Sequence, residues 1–433
     1  MKRSTLLKYF GLTALALNLN ATEIYTVDEL ILKSLKTSPN LEISRASHKA
    51  SQSRYDGAFS GYLPRVDLYA SAGKAGMTDT FGGSGGMIDD NIILGKLSAK
   101  QILYDFGKTG GSVDSSRFSA DSYAMQTIQD ISDKKRDVKE AYYNVLNAKA
   151  LIDVHQENVK LNEAQLYRSQ KYFDAGIRTK IDVSDAKVSL IQAKLDLKKA
   201  EYNLKISYAS LDEVVGFEEL EREYSVYSKE LVLKSLFESL KHYSLTLKES
   251  ILYAYENRAT LKKEESLIEA STAEIDEASS GYYPSLYLAA DYTKQKVEKF
   301  NQFTPDNQWQ ATLNLDWNIY EGGLTSAKKQ EKVINKSIAN FTLHDSKLRI
   351  KKGTTQAYIN LYKSRDSVEL SQSLVQVSSE KFDQASKRYE HGLSDYIELQ
   401  QARQGYIDAK AALVVDYYNY HISVAYLDNA IGR

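Results

Sequence analysis

The chain has 433 residues, of which 56 are lysine or arginine and 57 are aspartate or glutamate. This near-neutral balance argues against nucleic acid as the main partner, since phosphate binding needs a clustered positive excess. There are no cysteines, which excludes disulfides, thiolate chemistry and an acylated N-terminal cysteine. The small number of prolines, 4, permits long helices. The 32 tyrosines suit surfaces that contact both apolar groups and water.

Residues 1–21 have the pattern of a secretory signal peptide. A basic start precedes a mostly apolar run from Tyr9 to Leu19, and Ala21 is a suitable last residue before cleavage. The apolar run is too short to span a bilayer as a helix. The alternative is an uncleaved N-terminal amphipathic helix. No later stretch reaches the length of a transmembrane helix, so a mature chain that spans a membrane must do so with strands.

An internal repeat organises the rest of the chain. Residues 60–64 (SGYLP) recur 220 positions later as SGYYP. Further along the spacing is 216, so that residues 104–107 (YDFG) match residues 320–323 (YEGG). The sequence therefore predicts a first repeat over residues 22–216, a linker over residues 217–245 and a second repeat over residues 246–433.

Each repeat contains long stretches in which apolar residues recur every seven positions, the pattern of left-handed coiled-coil packing. In the first repeat the stretch from Gly111 to Ala175 could hold one helix close to 100 Å long, at about 1.5 Å per residue. Gly176 and Gly392 stand where such helices would stop and reverse. We expect one long helical hairpin in each repeat, turning at these glycines. The seven-residue series in the first repeat is Ile131, Val138, Val145, Ile152, Val159, Leu166 and Phe173.

Between the helical stretches, apolar residues recur at every second position. From Trp309 to Tyr320 every odd position is apolar and nearly every even position is polar, which matches a transmembrane β-strand. The pattern predicts a β-hairpin at about residues 284–320 and a weaker one at about residues 64–104. Pro64 and Pro284 stand at the helix-to-strand corners. The alternative is a soluble hairpin packed on the helices. The predicted lipid-facing side chains are Trp309, Leu313, Leu315, Trp317 and Ile319.

The number of strands decides between these alternatives. Four strands cannot close a membrane barrel, which needs about eight or more, and an open sheet edge is not tolerated in lipid. Several chains must therefore share one barrel, with about eight strands from a dimer or twelve from a trimer. The predicted fold is an α+β membrane protein. Its long antiparallel helical hairpins form an α-barrel, and four strands per chain contribute to a shared transmembrane β-barrel.

The chain resembles the TolC family of outer-membrane efflux and type I secretion ducts over essentially its whole mature length. The repeated Gly-Tyr-x-Pro corner, the YDFG and YEGG segments and the turns around Gly176 and Gly392 carry this resemblance. It implies a homotrimer in the bacterial outer membrane, whose helices form a periplasmic tunnel with residues 217–245 in its equatorial region. It also implies a passive exit duct that meets a periplasmic adaptor protein and an inner-membrane pump of the RND or ABC type.

The resemblance places functional residues at the turns of the helical hairpins, where the family narrows its tunnel with acidic and polar side chains. Ser394 occupies the position where the family's linking arginine is expected, so either repeat remains a possible source of the gate ring. Gly176, Ile177, Gly392 and Leu393 are the implied adaptor contacts. The gate candidates are Arg178, Asp182, Asp185, Tyr389, Glu398 and Gln401.

Enzymatic patterns are missing from the sequence. The six histidines are scattered without the spacing of a zinc motif, and a Gly-Lys-Thr segment at residue 107 lacks the glycine cradle of a phosphate loop because Ile102 stands in its place. We therefore expect no enzymatic activity, no cofactor and no metal site. The alternative function is that of a secreted periplasmic coiled-coil interaction protein or an adhesin-like structural protein. Such a soluble rod should cover or charge the apolar strand face.

Overall fold

A computed structural model describes residues 23–78, 87–218, 224–228, 231, 233–240, 242–297 and 306–433. The predicted signal peptide lies outside the described residues. The helices are α1 (Val27–Thr37), α2 (Pro39–Phe59), α3 (Lys108–Asp174), α4 (Lys180–Val215), α5 (Leu247–Asn257), α6 (Ala259–Ser279), α7 (Leu324–Glu390) and α8 (Tyr396–Ile431). The strands are β1 (Glu23–Tyr25), β2 (Arg65–Thr78), β3 (Met87–Tyr104), β4 (Tyr224–Val226), β5 (Ser285–Val297) and β6 (Asn307–Asp316).

Corresponding helices in the two predicted repeats have equal lengths. The pairs α1/α5, α2/α6, α3/α7 and α4/α8 contain 11, 21, 67 and 36 residues respectively. At about 1.5 Å per residue, α3 is close to 100 Å long, so the predicted single long helix is confirmed. Among the residues described, no helix combines the length and the apolar character needed to cross a lipid bilayer.

Both long helices end at the glycines that the sequence singles out. Gly176 and Gly392 have φ angles of +73° and +71°, in the left-handed region that glycine adopts without a steric penalty. The Ile177 N–H donates to the Tyr172 carbonyl at 2.9 Å, and the Leu393 N–H donates to the Arg388 carbonyl at 2.8 Å. These bonds close Schellman motifs, so the predicted turns at Gly176 and Gly392 are confirmed.

Four strands form one antiparallel sheet in the order β2-β3-β5-β6. The hairpins of the two repeats have the same register: Arg65 lies opposite Lys100 in the first, and Ser285 lies opposite Asp316 in the second. The central pairing of β3 with β5 joins the two hairpins. Within the described part of the chain, β2 and β6 each pair on one side only and form the two edges of the sheet.

Strand β6 is shorter than the alternating pattern predicts. It ends at Asp316, whereas the pattern continues to Tyr320. Trp317 and Ile319 therefore follow the strand and do not belong to it, and the Trp317 indole N–H donates to the Tyr282 carbonyl at 3.2 Å. Pro64 and Pro284 lie at the predicted corners, each between a short 3₁₀ turn and the first residue of a strand.

The chain divides into two compact units. The first takes its described residues from 23–37, 138–239 and 368–419. Here β1 pairs in parallel with β4, which comes from the predicted linker. The buried core contains residues of α1, α3, α4, β4 and α8. The fully buried members are Leu30, Val138, Val145, Leu211 and Val215.

The second unit contains the sheet and takes its residues from 38–137, 240–367 and 420–433. Helix α3 packs against α6 so closely that a Cβ on Gly111 would lie 2.6 Å from the Ala273 carbonyl oxygen. The Thr260 hydroxyl donates to the Gln129 side chain at 3.0 Å across the same pair of helices. Because Gly111 has no side chain, the two helix backbones can approach directly.

Candidate functional site

One face of the sheet is apolar across all four strands. Leu68, Leu97, Tyr292 and Trp309 lie opposite one another in a single row, and they therefore share a face. Leu68 and Trp309, at the two edges of this row, are 78% and 77% exposed. On β6 the predicted lipid-facing residues Leu313 and Leu315 lie on this face opposite Leu288 and Leu286, and both are exposed. Trp317 and Ile319 are also exposed, beyond the end of the strand.

The opposite face of the sheet is polar and carries cross-strand contacts. Asp291 lies near the centre, where it accepts a hydrogen bond from the Gln310 side chain at 3.0 Å and pairs with Lys96 at 3.1 Å. The ammonium of Lys100 lies 3.9 Å from the centre of the Tyr287 ring. A sheet with one apolar and one polar face has the pattern of a membrane barrel wall, whose outer side contacts lipid and whose inner side contacts water.

At the turns of the long hairpins, Tyr389 forms the centre of a small core. It is 2% exposed, and its ring contacts those of Tyr172 and Tyr396 with centroid distances of 6.5 and 6.2 Å. Burial raises the pKa of the Tyr389 hydroxyl, so this side chain stays neutral at physiological pH. The Tyr396 hydroxyl lies 3.1 Å from the Ser189 hydroxyl, which joins α8 to α4. The buried cluster consists of Ala186, Ala385, Tyr389, Tyr396, Leu399 and Ala402.

Arg178 connects the turns of the two hairpins. Its guanidinium carbon lies 4.7 Å from the centre of the Tyr389 ring, and its Nη2 lies 3.2 Å from the Ser394 carbonyl oxygen and 3.4 Å from the Tyr389 carbonyl oxygen. Arg178 and Ser394 are 216 positions apart and are therefore equivalent residues of the two repeats. The arginine that the family resemblance leads us to expect at Ser394 is present at the same position of the other repeat.

Two of the candidate acids are engaged within the chain. Asp182 accepts a hydrogen bond from the Thr179 N–H at 3.2 Å at the start of α4. Glu398 forms an ion pair with Arg388 at 3.0 Å. Arg388 was not among the residues predicted from the sequence. It lies in the basic last helical turn of α7, close to the hairpin reversal at Gly392. Asp182 and Glu398 are thus tied to their own hairpins.

Asp185 and Gln401, which are equivalent positions of the two repeats, have no side-chain partner among the described residues; Asp185 is half-buried. Neither is joined by a hydrogen bond or an ion pair to another residue that the structure describes, and Gln401 is exposed. The predicted adaptor contacts also lie at the surface: Ile177 and Leu393 are 66% and 70% exposed beside the turn glycines. No group of three or more histidine, aspartate or glutamate side chains is placed to hold a metal ion in the described part of the chain.

The sequence matches a known protein family over both repeats. A family model described as "Outer membrane efflux protein" matches residues 30–217 and residues 252–433. The chain belongs to the outer membrane efflux protein family. The predicted resemblance is thereby confirmed, and so are the outer-membrane location, the channel function and the non-enzymatic character. The alternative of a secreted coiled-coil or adhesin-like protein is wrong. Membership of the family also implies a trimeric assembly.

Individual relatives of this outer membrane efflux protein are distant in sequence and similar in fold. Protein CyaE of Bordetella pertussis is 21% identical over 383 residues, which cover 88% of this chain and 78% of the relative. The TolC protein of Salmonella enteritidis is 21% identical over 413 residues, with coverages of 92% and 79%. The solved structure of CusC superposes with a TM-score of 0.82 at 16% identity, covering 95% of this chain and 93% of CusC. The last similarity confirms the predicted fold class, in which long helical hairpins accompany four antiparallel strands.

Proposed function

We propose that three copies of this efflux protein form a homotrimer whose sheets close into one twelve-stranded barrel in contact with outer-membrane lipid. The observation that carries the proposal is the open sheet, which has one exposed apolar face and, among the residues that the structure describes, two unpaired edges on β2 and β6. Strands alternate in direction from β2 to β6, so β6 of one copy and β2 of the next are antiparallel when placed side by side. Closing the sheet in this way removes both edges from contact with lipid.

The proposed role is that of a passive exit duct from the periplasm to the exterior. CyaE and TolC are relatives of this chain, and export by a tripartite efflux or type I secretion system agrees with this kinship. An inner-membrane pump of the RND or ABC type would supply the energy, and a periplasmic adaptor would connect it to the duct. The exposed side chains of Ile177 and Leu393 give such an adaptor two apolar contacts at the hairpin turns.

The gate in this proposal lies at the same turns. Arg178 holds the second hairpin to the first through the Ser394 and Tyr389 carbonyls, while Asp185 and Gln401 remain available to the tunnel. In a trimer, threefold symmetry would bring three copies of each residue around one axis. Because Glu398 is paired with Arg388, we assign the open acidic position of the ring to Asp185 of the first repeat.

Planar bilayer recordings of the detergent-extracted protein test the proposed function. We expect discrete conductance steps from the intact oligomer and no steps from the same sample after it has been dissociated by heat. An intact oligomer that inserts into the bilayer and never conducts, even when the Arg178 link is removed by Arg178→Ala, would contradict the proposal.

A further inference from the structure

Three lysines lie on the apolar face of the sheet, toward the end that is remote from the helix-to-strand corners. By the strand register, Lys74 of β2 and Lys294 and Lys296 of β5 share this face with Leu68 and Tyr292. All three lysine side chains are exposed, and none forms a hydrogen bond or an ion pair with another residue that the structure describes. These three residues form the lysine rim, and they stand on the face that contacts lipid in the proposed barrel.

The height of the lysine rim on the sheet follows from its position in both repeats. Lys74 and Lys294 each stand ten residues after a corner proline, Pro64 in the first repeat and Pro284 in the second. At about 3.4 Å per residue and a strand tilt of about 35–45°, they lie about 22–25 Å above the first strand residue. The apolar band of a membrane barrel is about 25 Å tall. The lysine rim therefore lies at the edge of the hydrocarbon layer, where the lipid headgroups begin.

Aromatic side chains mark the same level of the sheet. Lys294 lies opposite Asn307, and in the next row toward the corner Tyr292 lies opposite Trp309. Tyrosine and tryptophan are enriched where the hydrocarbon layer meets the headgroups. From this row to the corner, the residues that share the apolar face of the four strands are all uncharged. The lysines are thus confined to the level at which a barrel wall contacts headgroups.

The charge of the lysine rim is not balanced on its own face. The next charged position on this face is Asp89 of β3, which lies opposite Gly76, one row beyond Lys74. On the polar face, by contrast, Lys96 is paired with Asp291 at 3.1 Å. Three lysines against one aspartate leave a positive excess on the lipid side of each chain, and the proposed trimer repeats this excess around the whole barrel.

We infer that the lysine rim binds phosphate-bearing lipids in the outer leaflet of the outer membrane. The inference rests on the proposed duct, in which the helices lie on the periplasmic side of the sheet and the lysine rim faces the exterior. A lysine lays its carbon stem along apolar surface and directs its ammonium to the headgroup level. There each ammonium attracts an anionic headgroup, and one such cation strengthens binding to a negatively charged membrane surface about fivefold.

Apolar surface beside the lysines favours a lipid over a soluble anion. Ile93 of β3 lies opposite Lys296 on one side and opposite Ala72 on the other, and it is 58% exposed. Leu97, nearer to the corner on the same face, is also exposed. A lipid places its phosphate at the ammonium groups and its acyl chains against this surface, whereas a free phosphate ion leaves the surface uncovered.

Trp309 can report which lipid lies beside the lysine rim. Lys294 and Trp309 are diagonal neighbours on adjacent strands, about 7–8 Å apart, and the other tryptophan of the chain is Trp317 near the corner. Trp317→Phe therefore leaves one reporter at the outer level, and Trp309→Phe leaves one at the corner. Both variants are reconstituted in phosphatidylcholine vesicles. Quenching of tryptophan fluorescence by phosphatidic acid with brominated acyl chains, relative to brominated phosphatidylcholine, measures the local enrichment of the phosphate monoester lipid.

We expect phosphatidic acid to be enriched about fivefold or more beside Trp309 and not beside Trp317. Added salt should weaken this enrichment. Replacement of all three lysines by glutamine should abolish it, and replacement by arginine, which keeps the charge, should retain it. Lys96→Gln removes a cation at a similar level on the polar face, so it is the matched control and should leave the enrichment unchanged.

The particle mass and the conductance of the same variants separate this inference from the proposed function. A conducting trimer whose enrichment at Trp309 is unchanged by the three glutamines, or is equal at Trp309 and Trp317, overturns the lipid site and leaves the duct intact. Enrichment that inorganic phosphate removes at matched ionic strength would assign the lysines to a soluble anion and would also overturn the lipid site. A monomer that does not conduct overturns the proposed function, and the lysine rim as a lipid site falls with it.

Discussion

Arg178 donates a hydrogen bond, at 3.2 Å, to the carbonyl of Ser394, the residue that occupies the equivalent position in the other repeat. The two turns are therefore joined by one arginine that reaches across to its own counterpart. Since the same guanidinium also stacks on Tyr389, the link spans the turn of one hairpin and the last turn of α7 in the other. A link of this kind within one protomer can hold the tips of its two hairpins together without a contribution from a neighbouring copy.

Removal of this link should favour an open tip. A charge-assisted hydrogen bond and a cation–π contact at a half-buried site are together worth about 1–2 kcal/mol. Arg178→Ala should therefore shift the equilibrium between closed and open tips by about tenfold, or more. Single-channel conductance in planar bilayers measures the shift. Lys180→Ala, which removes an exposed cation two residues away, is the control. Equal conductance in the two variants would show that the Arg178 link does not hold the tip closed.

The ion preference of the duct should respond to charge at the unpaired positions Asp185 and Gln401 rather than at the paired Glu398. Gln401→Glu adds one unpaired carboxylate per chain at an exposed position and should raise cation preference, seen as a shifted reversal potential in a salt gradient. Glu398→Gln should change it little, because Arg388 already compensates this charge. Both partners of that ion pair are more than a third exposed, so we expect its loss to cost less than about 1 kcal/mol of stability. A larger shift from Glu398→Gln than from Gln401→Glu would contradict the assignment of the ring carboxylate to Asp185 and return it to Glu398.

Charge on the apolar face of the sheet should prevent assembly in the membrane. Leu313→Lys and Leu315→Lys place an ammonium on the exposed apolar face, at a cost of about 2–4 kcal/mol per chain near the bilayer centre. Asn314→Lys, between them on the polar face, should be mild. The amount of each variant in the outer-membrane fraction measures the effect. Equal amounts of all three variants would contradict the assignment of the faces.

The sequence predicts the helices and turns well because their determinants are local. Seven-residue spacing from Ile131 to Phe173 marks the greater part of α3, and Gly176 supplies the positive φ that ends the helix. In the proposed barrel, the alternation from Trp309 to Tyr320 would reflect contacts of the complete assembly. The alternation extends beyond Asp316, where β6 ends in the single chain.

The contacts at the hairpin tips could not be predicted in the same way. Arg178 and Ser394 are separated by 216 positions, and their contact depends on the packing of four helix ends. Comparing the two repeats would have supplied one signal, since an arginine that is missing from one copy is present in the other. The pairing of Glu398 with Arg388 had no such signal, because exposed charges are common on both helices.

The mass of the particle extracted from the outer membrane tests the central claim most directly. The open sheet, its apolar face and the edges of β2 and β6, unpaired among the described residues, require partner chains. We expect a trimer in the outer-membrane fraction, resistant to extraction by salt and released by detergent. A monomer or dimer found in the soluble periplasmic fraction would contradict the shared barrel and the duct that depends on it.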